Sequence, residues 1–182
     1  MAPSPLVFSP AEPVAARVRY VEPSGPGRVR IVVDETRQRV LTGRLDDRHV
    51  QELLLAAVRE PSDPGVRGES VDLLKMRTES REVRDALLYA VENDPNDGVR
   101  LKALDGLRPY ARDPKSRKVL SRVLLNDRNP GVRAAAIDLL IQSDTDDVVE
   151  TLQELMQTED NNYIRLRGQN ALRAMNASVE SF

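Results

Sequence analysis

Four arginines recur along the chain: Arg67, Arg100, Arg133 and Arg165, each preceded by Val or Ile, at spacings of 33, 33 and 32 residues. A regular row of guanidinium groups suits phosphate, because each offers a planar fork of donors. The same row suits a structural ladder, in which each Arg satisfies turn carboxylates and carbonyls between repeats. The ladder is the favoured reading, since each Arg recurs with its surrounding pattern and the net charge is −2. A second row, Asp72, Asp105, Asp138 and Asn170, follows each Arg by five residues. Carboxylates in series invite metal or acid–base chemistry. Here successive members sit on different repeats and no His joins them, and Lys75, Arg108 and Arg173 lie three residues beyond three of them, within ion-pairing reach. A solvated charge stripe is expected instead.

Composition narrows the chemistry further. The 182 residues include no Cys and a single His, His49, expected at the surface. Disulfides, thiol nucleophiles, thiolate zinc sites and His-based triads within this chain are thereby excluded. No catalytic, metal or cofactor residue is assigned. The chain is 40% hydrophobic and 31% charged, as in soluble folded proteins. It contains no apolar run long enough to span a membrane. The charge is uneven: residues 1–45 carry seven Arg against four acids, residues 108–122 carry six bases and one Asp, and no base lies between Arg133 and Arg165. The opening "MAPSPLVFSPAEPVAA" lacks the basic start and apolar core of a signal peptide and reads as a proline-rich linker or tail over residues 1–13.

The elements that must carry the Arg row follow from the same repeat. Apolar stripes precede each Arg: Val50/Leu54/Ala57/Val58, Val83/Leu87/Ala90/Val91, Ser116/Leu120/Val123/Leu124 and Val148/Leu152/Leu155/Met156. Each has the spacing of one helix face. Their intervals are again 33, 33 and 32, so a one-residue deletion falls between Val132 and Val148, near Ser143. Three residues before the stripes stand Asp47, Ser80, Asp113 and Thr145, and three before the Val/Ile positions stand Asp63, Asn96, Asn129 and Asn161. All are preferred N-cap types. The sequence therefore predicts four helix–turn–helix units, at about 47–75, 80–108, 113–141 and 145–175, within a solenoid over residues 46–182. Their second-helix core positions are Val66/Ser70/Leu74, Val99/Ala103/Leu107, Val132/Ala136/Leu140 and Ile164/Gly168/Leu172, with a small middle residue for close helix approach. One such pair cannot bury its apolar side alone, so stacked copies share a core.

Before the array, "VAARVRY", "RVRIVVD" and "RQRVLTG" predict a three-stranded antiparallel meander within residues 14–45. It is expected to cap the solenoid, or to pair strands between two copies. The fold class is thus mainly α, an α-solenoid with a small N-terminal β-meander.

"LLYAVENDPNDGVRLKALDGL" resembles the HEAT-repeat pattern, whereas ankyrin and tetratricopeptide signatures are missing. The resemblance aligns Arg67, Arg100, Arg133 and Arg165 with the family's Arg, and Asp94 and Asp127 with its turn Asp. Pro61 and Glu159 occupy the equivalent sites. The ladder is expected to break, or pass to Asp63, in the first repeat and to persist through Glu159 in the last. The resemblance also places the second helices on the concave side. There Leu101, Ala134 and Leu166, with Gly68 in the first repeat and Lys102, Arg108, Arg167 and Arg173 at the rim, either anchor a partner helix or pack against adjacent repeats. The candidate partner row is Leu101, Ala134, Leu166, Asp105, Arg108, Asp138, Asn170 and Arg173. Tyr163 replaces the glycine of the other repeats and is either a core cap or an exposed anchor. The tail "NASVESF" is expected to cap the array with Phe182, and its Asn176-Ala177-Ser178 triplet is too short to signify glycosylation.

Two longer stretches, "RVRIVVDETRQRVLTGRLDDRHVQELLLAAVRE" and "TEDNNYIRLRGQNALRAMNASVESF", look like the C-terminal part of bacterial membrane-anchored zinc-finger anti-sigma-factor-like proteins. That resemblance implies a non-catalytic sensory or scaffolding domain outside the inner membrane, with a protein or peptide as partner. No nucleic acid and no membrane contact by this segment is expected, and self-association would use the meander. A free-standing cytoplasmic HEAT adaptor is the alternative. A HEAT-like DNA glycosylase, a nucleic-acid binder or a bilin lyase ranks lower, because the chain has no Trp and its second helices alternate acid with base.

Overall fold

The computed structural model describes residues 7–9, 13–23, 29–37, 40–61, 63–77, 80–143 and 145–175. The expected tail cap, with Phe182, lies outside them. The chain divides into two compact units, Met1–Val50 and Gln51–Phe182.

In the first unit, β1 (Val7–Ser9) pairs antiparallel with β4 (Val40–Thr42), and β2 (Pro13–Pro23) with β3 (Val29–Arg37). The pairings nest, Val7 with Thr42, Pro13 with Arg37 and Pro23 with Val29, in the order of a hairpin whose chain runs out along one arm and back along the other. The strand expected over 37–43 is β4, and its partner is β1, which lies in the stretch read as linker. Register shifts between Pro13 and Ala15 and between Val18 and Tyr20 interrupt the alternation. Val18, Val21, Val29, Ile31 and Val33 are exposed. Arg30 bonds Glu22 at 3.1 Å.

The second unit is a run of helices: α1 (Arg48–Ala57) and α2 (Pro64–Leu74), then the packed pairs α3 (Arg81–Asn93) with α4 (Asp97–Gly106), α5 (Pro114–Asn126) with α6 (Pro130–Leu140), and α7 (Asp146–Thr158) with α8 (Asn162–Ala174). A 3-10 turn, Arg108–Tyr110, follows α4. The caps explain the starts. Asp47 accepts from the amides of His49 and Val50, and Asp63, Ser80, Asn96, Asp113, Asn129 and Asn161 each accept from amides in the first turn of their own helix. Thr145 stands at the predicted place but its hydroxyl makes no cap bond.

Second helices pack on second helices (α2 on α4, α4 on α6, α6 on α8) and first helices on first helices (α3 on α5, α5 on α7). Leu74, Leu87, Leu104, Leu107, Leu120, Leu124, Ile137, Leu140, Leu152, Leu155, Ile164 and Leu172 are fully buried along this stack. Each contributes on the order of 1.5–3 kcal/mol. The small middle position has a visible reason at Gly168, where an added Cβ would stand 3.0 Å from Leu155 of the paired helix.

Four expected core positions, Val50, Leu54, Ala57 and Val66, differ from the rest. Val66 is 45% exposed, whereas its equivalents Val99, Val132 and Ile164 are buried. No residue of α1 is buried, although Val58 just beyond it is. Val99, the counterpart of Val66, packs toward Gly68 of the preceding repeat, and among the described residues no repeat stands ahead of α1 and α2.

Candidate functional site

The Arg ladder runs forward along the array. Arg67 donates through Nε and Nη2 to Asp94 at 2.6 and 3.0 Å, and through Nη1 to the carbonyls of Glu60 and Pro61. Arg100 does the same to Asp127 at 2.8 and 2.9 Å and to the Asp94 carbonyl at 2.9 Å. Arg133 pairs with Glu159 at 2.9 and 3.0 Å and with the Asp127 carbonyl. Burial works against the Arg100 charge, yet its hydrogen bonds to Asp127 leave its pKa above the usual arginine value. Each carboxylate also caps the amide two residues on, at Asn96, Asn129 and Asn161, which orients it toward the guanidinium.

The first rung is therefore intact, contrary to the expected break at Pro61. Each Arg reaches the turn of the next repeat, so residue 61 supplies only a carbonyl, and Asp63 serves as a cap. Arg165 differs. It is exposed and forms no such pair among the described residues, where no turn follows it.

The candidate partner row lies on the second helices and beside them. Leu101 on α4 is 39% exposed and Leu166 on α8 is 53% exposed. Ala134 on α6 between them is only 8% exposed, and Ala135 beside it is half-buried. Two leucines thus stand on either side of a helix with small side chains. Gly68 is covered, with the Lys102 side chain 3.6 Å from where its Cβ would be.

The acids of this row are paired both within and between repeats. Lys75 bonds Asp72 at 2.8 Å and Asp105 at 3.4 Å, and Arg108 bonds Asp105 at 3.0 Å. Lys102 reaches back to Asp72, and Arg167 reaches back to Asp138. Lys102, Asp72, Lys75, Asp105 and Arg108 form one continuous chain of charges. Hydrogen bonds from Lys102 and Lys75 hold Asp72 below the ordinary carboxylate range, and Arg108 and Lys75 do so for Asp105. Asn170 meets Arg173 at 3.5 Å. Tyr163 is 56% exposed, and its hydroxyl accepts from Arg167 at 3.0 Å.

Sequence reasoning anticipated the pairs three residues apart and missed those across repeats. The signal was available: a cation follows the acid by 30 residues at Lys102 and, after the deletion, by 29 at Arg167. Four members of the basic run over 108–122 are also held by cross-repeat contacts. Lys115 bonds Asp85, Arg117 bonds Asp147, and Arg122 bonds Glu92. Arg112 donates to the Gln142 carbonyl. A cleft of about 510 Å³ beside this run includes Glu92, Arg100, Arg122 and Asp127 in its lining, all of them already paired. No group of three or more His, Asp or Glu is placed to hold a metal among the described residues, and no helix there is long and apolar enough to cross a membrane.

Residues 84–173, spanning nearly all of α3 through α8, match the family described as HEAT repeats. The match supports a HEAT-repeat domain over this stretch. No curated protein matches the chain. HEAT repeats generally act as scaffolds for protein–protein interaction and are typically non-catalytic. Stacked HEAT pairs offer long surfaces built from many short elements, which suits holding a partner rather than enclosing a reaction.

Proposed function

We propose that this chain is a non-catalytic scaffold whose second-helix face holds a protein or peptide. The carrying observation is the exposure of Leu101 and Leu166 on either side of the small side chains of α6. Apolar side chains left in water on a face rimmed by Arg108, Arg173 and paired carboxylates suit an amphipathic segment. Leu101→Asp with Leu166→Asp should abolish partner capture from source cells and leave the thermal melt nearly unchanged. A variant that captures normally, or one that unfolds, defeats the assignment.

The finer reading is the extracytoplasmic sensory part of a membrane-anchored anti-sigma-factor-like regulator, and its support is the sequence resemblance of residues 28–60 and 158–182. The competing reading is a free-standing cytoplasmic adaptor. An antibody to the domain separates them. A membrane-bound band clearly above 20.3 kDa supports the tethered regulator, and a soluble band near that mass supports the adaptor. Self-association through the β-hairpin is supported by the exposure of Val18, Val21, Ile31 and Val33. Light scattering on the full chain and on a Val21→Asp, Ile31→Asp variant tests it, and a monomeric wild type refutes it.

A further inference from the structure

Along the second helices, the row of Asp72, Asp105 and Asp138 is matched by cations until α8. There Asn170 stands where Asp72, Asp105 and Asp138 stand in the other repeats, so among the described residues Arg173 meets only an amide oxygen. Arg165 is the fourth ladder residue and has no turn carboxylate ahead of it among the described residues. α8 holds Arg165, Arg167 and Arg173 and no acid, and only Arg167 pairs with a described carboxylate. The neighbouring α7 is its opposite, with Asp146, Asp147, Glu150 and Glu154 and no base. The last helix pair therefore separates charge between its two helices.

Apolar groups share the basic side. At 100° per residue, Tyr163, Leu166, Asn170 and Arg173 fall within an arc of about 80° on α8, with Arg165 about 80° further round. All five are exposed. Tyr163 does not plug the core. Arg167 donates to its hydroxyl and lies 5.7 Å from its ring, while also pairing with Asp138. The ring is held in place before any partner arrives, which reduces the ordering cost of binding. Tyr and Arg are also the residues that most often dominate binding energy. Arg165 and Arg173 are eight residues, or about 12 Å, apart along the axis.

We propose that the exposed face of α8 docks an acidic amphipathic helix of a partner protein. The partner would carry carboxylates about two turns apart, for Arg165 and Arg173, together with an apolar pair that covers Tyr163 and Leu166. The acids of α7 repel such a helix and fix the side on which it lies. This rests on the second-helix face being the partner surface, and adds the partner's chemistry and the end of the face that anchors it.

The test uses two labelled model helices of about five turns. They share one apolar pair and differ only in carrying Glu or Lys at the two positions spaced to meet Arg165 and Arg173. Anisotropy with the full chain should show the Glu helix binding, with affinity falling at least about tenfold between about 0.05 and 0.3 M salt. Arg165→Glu with Arg173→Glu should abolish that binding and let the Lys helix bind instead. The Arg165→Gln, Arg173→Gln pair should weaken the Glu helix without recruiting the Lys helix, and thermal melts of both variants should match the wild type. A Glu helix that does not bind, or that binds the reversed variant equally well, overturns the proposal. Equal binding of a single-stranded oligonucleotide, lost on the same substitutions, also overturns it by reassigning the face to phosphate. Leu101→Asp, on α4, separates the two readings. If the Glu helix fails while Leu101→Asp still removes natural partner capture, only the α8 proposal falls. If the Glu helix binds as expected while that capture survives Leu101→Asp, the α8 proposal stands without the broader surface.

Discussion

Arg100 makes four hydrogen bonds, to Asp127 twice, to Asp97 and to the Asp94 carbonyl. Its side chain and that of Asp127 are almost wholly out of solvent. Removing one member of such a pair strands a buried charge, so Arg100→Ala should cost about 3–5 kcal/mol in urea unfolding. Arg165→Ala, with no described partner, should change stability by less than about 0.5 kcal/mol. A similar cost for both would mean that Arg165 is held in a rung after all. The residue types and spacing of this ladder were legible from the chain. Its direction was not: Pro61 looked like a missing partner because the turn was read against its own repeat, while the Arg actually spans to the next one.

At the scale of the helix, the caps carried most of what could be read. An N-cap needs only a short polar side chain at a fixed offset, so sequence distance and spatial distance coincide. Asn96 accepts from the amides of Gly98 and Val99, and Asn96→Ala should cost about 1 kcal/mol. Thr145 makes no cap bond, so Thr145→Ala should be neutral within about 0.5 kcal/mol. Equal losses in chemical denaturation would contradict this difference in cap geometry. The strands were harder to read. Their pairing joins residues 7 and 42, and nothing local specifies that β4 takes β1 as its neighbour. The cross-repeat ion pairs were missed for the same reason, since they emerge only once the helices are stacked.

Across the whole array, position decides the energetic weight of identical residues. Val66 and Val132 occupy the same place in their repeats, yet one is largely exposed and the other buried. Val132→Ala should cost about 2 kcal/mol and Val66→Ala less than about 0.5 kcal/mol, both measurable as shifts in the unfolding midpoint. The chain predicted both as core because a repeat pattern does not reveal where the array ends. The far end is marked differently. Val71, Leu104 and Ile137 are buried, and their counterpart in the last repeat is the partly exposed Gln169. A polar residue there suits an outer face that meets water.

Because every described rung runs from one repeat to the turn of the next, no described rung reaches the turn after α1 from an earlier repeat. Cohesion in the array is therefore polar, like overlapping tiles that can be lifted from one edge only. Backbone amides of α1 should exchange with solvent through brief local fraying, while those of α5 and α6 wait for the whole array to come apart.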